Sequence, residues 1–391
     1  MYNARMASAH DDLDFNGLTS AHPSLPAAWY FDPARHALEM RRIWQHHWLY
    51  VCRATELAAP RSFRTFEVGD QKLFLVRDEA GVLRGFHNTC RHRGSTLCTQ
   101  ESGTLRTAAI VCPYHAWSYA LDGKLQRITS KFTPAGFDAN EHALYPVSVR
   151  EWRGFVFVSL AKDPPPFADS WDTPLSRLDG WPLEELRVGH SATQVLRCNW
   201  KIFWENYNEC LHCPRVHPTL SQMVPIYGRA LMEPRDDPQW KQHAQDDDPK
   251  YRGGVRRGAH TWSRDGQLVG KAFPGIAPAD LNTGYVYMTQ LPSVFIVGHP
   301  DYVRVVRLRP LAPESTELHI EYLFAAETLA DPAFDVQRIT DFAGAVLRED
   351  AQVCELNQSG LHAAPHAQGV LMPEEYVLKQ FQDWIRAEAG D

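Results

Sequence analysis

The chain has 391 residues, 44% hydrophobic and 22% charged, with a formal net charge of −7. That length carries two domains and a large buried core, and the acidic balance argues against a nucleic-acid or anionic-membrane partner. No apolar run of about 18 residues occurs, and the N-terminal MYNARMASAHDDLD has no apolar leader segment, so neither a membrane span nor a secretory signal is expected.

In chain order, residues 27–49 show an apolar stripe at Leu38, Ile43 and Trp44, opened by Asp32-Pro33 as cap and first turn. This predicts an N-terminal helical segment, 1–47, that packs on the C-terminal domain. From 48 to 160 short alternating segments dominate, among them Phe63–Phe66, Lys72–Val76, Ala108–Val111 and Gly154–Val158. Turn signals at 78–81 and Asp122-Gly123 separate such runs, so this stretch reads as a small all-β domain. Asp163-Pro-Pro-Pro-Phe marks a boundary to a second domain, 161–391.

There a helix is predicted over Trp200–Leu211, then a polar, mobile excursion over 233–266. Strands follow at Gly284–Met288, Val294–Val297, Tyr302–Val306 and Glu317–Phe324, and a long amphipathic helix at Asp335–Gln358. An antiparallel sheet with a long helix against it is an α+β arrangement. No internal repeat is present.

Two short motifs carry the first chemistry. Cys90-Arg-His92 and Cys112-Pro-Tyr-His115 each mix one thiolate with one imidazole, and 19 residues separate them. In a Rieske cluster two cysteines hold one iron and two histidines the other, which raises the potential above that of an all-cysteine cluster. A Cys2His2 zinc site is the rival reading, although zinc sites usually pair like ligands locally. The chain has eight cysteines. In a large unsecreted chain these point to metal binding before disulfides, and to a reducing cytoplasm. Cys52, Cys98, Cys198 and Cys354 read as buried or incidental thiols.

A second cluster lies at residues 199–218, Asn-Trp-Lys-Ile-Phe-Trp-Glu-Asn-Tyr-Asn-Glu-Cys-Leu-His-Cys-Pro-Arg-Val-His-Pro. His212 and His217 are five apart with Pro214 between them, so the helix ends or distorts there and the imidazoles converge from its end and the next turn. Two histidines with one carboxylate leave open positions on a ferrous ion for O2 and substrate. Unrelated histidines, or a zinc site with Cys210 and Cys213, are the alternatives. Glu209, three residues before His212, projects from the same helical face and can accept the His212 ring N–H.

The segments Asn88–Ser95 and Cys112–Tyr119, followed by Leu121-Asp-Gly-Lys-Leu, resemble the Rieske domain of Rieske non-haem iron oxygenases, with a spacer slightly longer than usual. The string 199–218 resembles the mononuclear-iron motif of the same family, and the likeness covers roughly residues 40 to 380. It implies an N-terminal Rieske [2Fe–2S] domain and a C-terminal helix-grip catalytic domain. On it, Cys90, His92, Cys112 and His115 hold the cluster. His212 and His217 hold Fe(II), with Asp350 as third ligand from Arg348-Glu-Asp-Ala-Gln-Val-Cys-Glu; Glu349 and Glu355 are then solvated or paired carboxylates. Cys210 and Cys213 become core residues of the helix.

The resemblance further implies a head-to-tail homotrimer in which Glu209 links His212 to His115 of the next protomer. Asn206 matches an asparagine close to the iron. A flavin/iron–sulfur reductase or ferredoxin would deliver electrons from NAD(P)H, and O2 and a small-molecule substrate would complete the system. Glu at position 209, where ring-hydroxylating members typically carry Asp, resembles the choline, glycine betaine and carnitine monooxygenase branch.

An N-methylated or quaternary amine is therefore the expected substrate class, with an aromatic ring as the alternative. Trp204, Tyr207, Tyr227, Tyr285, Tyr287 and Phe295 are candidate walls for a quaternary ammonium, though aromatic residues also simply fill cores. Arg304 or Arg307 would suit a substrate carboxylate. A Rieske electron carrier without catalysis is the rival from another class.

Overall fold

The computed structural model describes residues 15–390; the N-terminal stretch read for a leader lies outside them. The described residues divide into two units, Ile43–Pro165 and a second that unites 15–42 with 166–390. Among the described residues no helix is long and apolar enough to cross a membrane.

The first unit is built on antiparallel strands. A seven-stranded sheet runs in the order Leu49–Arg53, Phe155–Ser159, Pro146–Trp152, Leu83–His87, Gln71–Arg77, Ser62–Val68, Ser102–Thr104. Leu73 to Val76 and Phe155 to Val158 are fully buried, which is why these segments read as continuous apolar runs. The Asp78 carboxylate accepts from the Ala80 and Val82 amides at 3.0 and 2.8 Å and closes one hairpin. A separate three-stranded sheet, Ala109–Val111, Ser118–Ala120, Leu125–Arg127, turns at Gly123, whose φ of +88° suits glycine. Cys90 and Cys112 sit in the apolar cluster between these layers, with Phe86, Ile110, Trp117 and Tyr119.

The second unit holds a five-stranded antiparallel sheet in the order Arg187–Leu196, Ser315–Phe324, Val303–Ala312, Val294–Gly298, Val286–Gln290. The long helix spans Gln337–Leu361, and its buried residues recur at helical spacing, from Ile339 through Val346 to Gln358. Asn199 caps the helix Trp200–Tyr207 by accepting from the Lys201 amide at 3.0 Å. Asp32 does the same for Pro33–Glu39, through the Ala34 amide at 2.8 Å. A fully buried ion pair ties these helices together: Lys201 Nζ lies 2.8 and 2.9 Å from the Glu39 carboxylate, which also accepts from Trp200 Nε1 at 3.0 Å.

Four expectations are corrected. The helix predicted to reach Leu211 stops at Tyr207, because the Glu209 carboxylate takes the Leu211 amide and turns the chain. Pro214 then lies in the first turn of a new helix, Cys213–Val216, where proline is tolerated, and distorts nothing. Cys210 and Cys213 lie beyond the helix Trp200–Tyr207 and are joined by a disulfide. Finally, the stretch 233–266 is a series of short helical turns ending in a packed wall. Thr261, Trp262 and Ser263 are buried there, and Tyr302 donates to the Trp262 carbonyl at 2.8 Å.

Candidate metal centres and substrate cavity

The two Cys/His loops of the first unit share one backbone path. In each, the cysteine carbonyl accepts from the amide four residues on (Gly94 to Cys90, 2.9 Å; Ala116 to Cys112, 3.0 Å). Each cysteine amide donates five residues on, to Ser95 and Trp117, both at 2.8 Å. Gly94 has φ +76° and Ala116 φ +55°. For alanine that conformation costs roughly 1–2 kcal/mol, so the mirrored loop is held by its surroundings and not by local preference. The result places both thiols inside and both imidazoles outside: Cys90 and Cys112 are buried, His92 is exposed and His115 half-buried. The imidazole centroids lie 4.7 Å apart, and His92 stacks on Trp117 with an interplanar angle of 7°. Tyr119 Oη lies 3.1 Å from Cys90 Sγ and accepts from the Arg91 amide at 3.0 Å.

In the second unit His212 and His217 flank the helix Cys213–Val216, and Asp350 reaches them from the long helix. The three donor atoms all lie within 4.8 Å of one another. Asp350 Oδ1 is 2.8 Å from His217 Nε2 and 3.5 Å from His212 Nε2. Neighbouring ligands of an octahedral ion with bonds near 2.1 Å sit about 3 Å apart, so the spacing fits a single metal. Behind the imidazoles stand two more carboxylates: Glu209 Oε1 is 2.6 Å from His212 Nδ1, and Glu349 Oε2 is 2.7 Å from His217 Nδ1. Both rings thus keep Nδ1 for a carboxylate and turn Nε2 toward Asp350, the orientation carboxylate–histidine–metal sites use. Burial alone pulls the His212 pKa down, but bonds to Asp350 and Glu209 more than reverse it, to about 9. A centre with three carboxylates around two imidazoles favours a cation. Asn206 Nδ2 is 3.4 Å from His212 Nε2, at the edge of this set.

A cavity of about 500 Å³ opens beside Asp350, His212 and His217. Its walls include Tyr207, Tyr227, Tyr285, Tyr287, Phe295 and Trp262. Trp204 is not among them; it is buried in the core, with Nε1 donating to the Pro292 carbonyl at 2.8 Å. Of the two arginines considered for a substrate carboxylate, Arg304 lines the cavity, while Arg307 lies outside it beside Glu317 at 3.9 Å.

Residues 47–136 match the Rieske [2Fe-2S] domain model, and residues 183–390 match the model of the ring hydroxylating alpha subunit (catalytic domain). The chain belongs to the Rieske oxygenase α-subunit family. The expectation of an O2-dependent oxidoreductase is borne out, and the carrier without a catalytic domain is excluded. The zinc reading of the Cys/His quartet gives way to the Rieske [2Fe-2S] domain, whose matched residues 47–136 contain both motifs.

The oxygenase is 31% identical over 381 residues to the glycine betaine monooxygenase oxygenase subunit of Chromohalobacter salexigens, covering 92% of this chain and 84% of that one. It is 34% identical over 209 residues to the carnitine monooxygenase oxygenase subunit of Escherichia coli K12, covering 52% and 54%. Its fold matches the quaternary ammonium Rieske monooxygenase CntA in complex with L-carnitine (TM-score 0.68, 21% identity, 96% and 98% covered). It matches naphthalene 1,2-dioxygenase from Rhodococcus sp. equally well (TM-score 0.68, 20% identity, 94% and 95% covered).

This Rieske oxygenase therefore carries a [2Fe–2S] domain and a catalytic domain that in its family binds mononuclear iron. Family chemistry requires a reductase partner and a small-molecule substrate. Two residues escaped the sequence reading. Glu349 was assigned only a generic pairing, and its position beside Asp350 was the available signal. Trp262 lies in a stretch read as mobile, and a tryptophan amid polar residues was the hint that the segment packs.

Proposed function

We propose that this enzyme is the terminal oxygenase of a two-component system and hydroxylates an N-methyl C–H bond of a small N-methylated or quaternary amine. The observation that carries the reading is the cavity itself, lined by His212, His217 and Asp350 and by eight aromatic side chains. Aromatic faces attract quaternary ammonium groups, most strongly where water is excluded. The similarity to glycine betaine and carnitine monooxygenase subunits supports the same class.

His212, His217 and Asp350 would hold the ferrous ion, and Cys90, His92, Cys112 and His115 the cluster. When bound, these groups supply O2 activation and single-electron transfer. The residues of the chain do the rest. Glu209 and Glu349 fix the imidazole tautomers, Asn206 borders the open side, and the aromatic walls exclude water and orient the methyl group. Hydroxylation of N–CH3 gives a carbinolamine, which breaks its C–N bond to release the dealkylated amine and formaldehyde. Overall one O2, two electrons and two protons yield one oxygen atom in product and one water.

We further assign a head-to-tail homotrimer in the cytoplasm, in which Glu209 bridges His212 to His115 of the partner subunit. Glu209 Oε1 is committed to His212 and Oε2 to the Leu211 amide, yet each carboxylate oxygen retains a lone pair for a further donor. His115 is accessible in its loop, as such a contact requires.

The test is turnover of trimethylglycine, choline and dimethylglycine with a surrogate flavin/iron–sulfur reductase and NADH. Formaldehyde formed in step with O2 uptake is the expected result. Hydroxylated aromatic product from naphthalene or benzoate, with no formaldehyde from any amine, would transfer the enzyme to the aromatic ring-hydroxylating reading, which the same aromatic walls accommodate.

A further inference from the structure

One wall of the cavity is a face of the five-stranded sheet. In its register Tyr287 lies opposite Val297, and Val297 opposite Arg304; Thr289 lies opposite Phe295. Side chains alternate along a strand, so Tyr287, Thr289, Phe295 and Arg304 share one face, and all of them line the cavity. Arg304 is only 5% exposed. Its guanidinium carbon lies 5.5 Å from the Trp262 ring centre and 5.9 Å from that of Phe295.

Those contacts serve the faces of the guanidinium and leave its N–H edge unserved. Arg304 Nε is buried with no hydrogen-bond partner among the described residues, and no carboxylate there pairs with the group. Its strand neighbour Arg309, by contrast, is held by Glu317 at 2.9 Å. Trp262 Nε1, a further buried donor that lines the same cavity, also lacks an acceptor, and the Tyr207 hydroxyl there has only the Thr289 hydroxyl beside it. Tyr207 stacks on Phe295 at 4.1 Å and meets Tyr287 edge-on at 6.0 Å, which keeps it on the Arg304 side of the cavity.

Arginine stays charged when buried, and an unpaired buried charge is expensive. Of the carboxylates that line the cavity, Asp172 already accepts from the Thr289 amide at 2.8 Å and the Thr173 hydroxyl at 3.1 Å, and Glu209 and Asp350 are held by His212 and His217, so the donors around Arg304 call for an occupant rich in acceptors. A carboxylate fits: it is planar, anionic, and matches the guanidinium fork while a second oxygen takes a hydroxyl or indole N–H. A purely cationic methylamine would leave these donors unmet and add a repelling charge beside Arg304.

We propose that Arg304, with Tyr207 and Trp262, forms an anion subsite that holds the substrate's carboxylate, so the enzyme selects zwitterionic N-methyl amino acids over choline-like cations. This rests on the cavity being the substrate cavity of the proposed oxygenase. Arg304 is then a specificity-determining residue, and the aromatic faces around it hold the cationic end.

The experiment is calorimetric titration of the iron-loaded holoenzyme without reductase, so that no turnover intervenes. The ligands are trimethylglycine, choline, tetramethylammonium and benzoate. Trimethylglycine should bind about 10- to 100-fold more tightly than choline or tetramethylammonium, the worth of a charge-assisted hydrogen-bonded pair. Arg304→Met should erase that preference while leaving tetramethylammonium as tight or tighter, and Arg304→Lys should restore part of it. Should Arg304→Met fail to fold, Tyr207→Phe removes one donor at constant shape and should weaken trimethylglycine several-fold without touching tetramethylammonium. Equal binding of trimethylglycine and choline by the unaltered enzyme would overturn the subsite and leave the amine reading standing. So would an undiminished preference in the folded Arg304→Met variant, or in Tyr207→Phe where that variant stands in. Arg304-dependent binding of benzoate, with no amine bound, would uphold the subsite and overturn the amine reading.

Discussion

Glu349 and Asp350, adjacent on the long helix, grip the same imidazole from opposite ends: Glu349 Oε2 lies 2.7 Å from His217 Nδ1, and Asp350 Oδ1 lies 2.8 Å from His217 Nε2. Successive helical residues point about 100° apart, so neighbouring carboxylates cannot both face one ion. They can, however, straddle a ring. His217 is itself 1% exposed, which makes the pair of contacts the means of locking it. His212 is held in the same manner by Glu209 behind and Asp350 in front.

Glu349→Ala should therefore weaken iron binding about 10- to 100-fold while leaving the fold and the Rieske chromophore intact. Competition with a ferrous chelator, followed by metal analysis, measures this directly. Affinity equal to that of the parent enzyme would show that Glu349 is only a surface partner of His217. His212→Ala, which removes one of the three proposed ligands, should cost one iron per chain, and a full complement of iron in that variant would refute the ligand assignment.

For Glu209 two roles have to be separated. Its contact with His212 Nδ1 predicts weaker iron binding in Glu209→Ala, through loss of ring orientation. The proposed bridge to His115 of the partner subunit predicts a defect that iron cannot repair. After saturation with ferrous iron, the variant should hold normal iron and an unchanged visible spectrum, yet fail to reoxidise its reduced cluster in a single-turnover mixture with substrate and O2. Recovery of turnover on adding iron would reduce Glu209 to a positioning residue.

In the other unit, Tyr119 contacts Cys90 Sγ at 3.1 Å from a fully buried position. Hydrogen bonds to cluster sulfur raise the reduction potential by stabilising the more negative reduced state. Tyr119→Phe should lower the potential of the cluster with little change in its absorption spectrum, as read by protein-film voltammetry. A potential that does not move would mean the phenol points its proton elsewhere.

What was legible in the sequence was what is local in it. Cys90 with His92 and Cys112 with His115 are each set by a loop of a few residues, although the positive φ of Ala116 is imposed by what surrounds the loop and is not legible in it. His212 and His217 were legible as a pair for the same reason, although the helix before them ends at Tyr207 instead of Leu211. Side-chain bonds from Glu209 decide that ending, and propensity does not register them. Arg304 and Arg307 looked equivalent because strand periodicity alone does not say which face meets a cavity. They differ by an odd number of positions, so only the register to Val297 and Tyr322 reveals that Arg304 faces inward. Trp262 needed a contact with Tyr302, forty residues away, to become a wall.

Glu205 offers a test of pH dependence away from the metal ligands. It accepts from the Tyr30 hydroxyl at 2.6 Å and from Gln382 Nε2 at 2.9 Å. Burial pushes its pKa up to about 7; the two hydrogen bonds and Lys201 oppose that shift without cancelling it. In the unfolded chain the same carboxyl titrates near an ordinary glutamate value of about 4.3. Between those two values the folded protein holds a proton that the unfolded chain has released, so stability is greatest below about 4.3 and falls as pH rises toward 7. Above that the contribution is flat. Glu205→Gln keeps an acceptor for Tyr30 and removes the titration. It should therefore melt higher than the parent at pH 8, by the equivalent of about 1–3 kcal/mol, and lose the advantage near pH 4.5. Scanning calorimetry across that range compares the two slopes, and parallel curves for variant and parent would place the proton on another group.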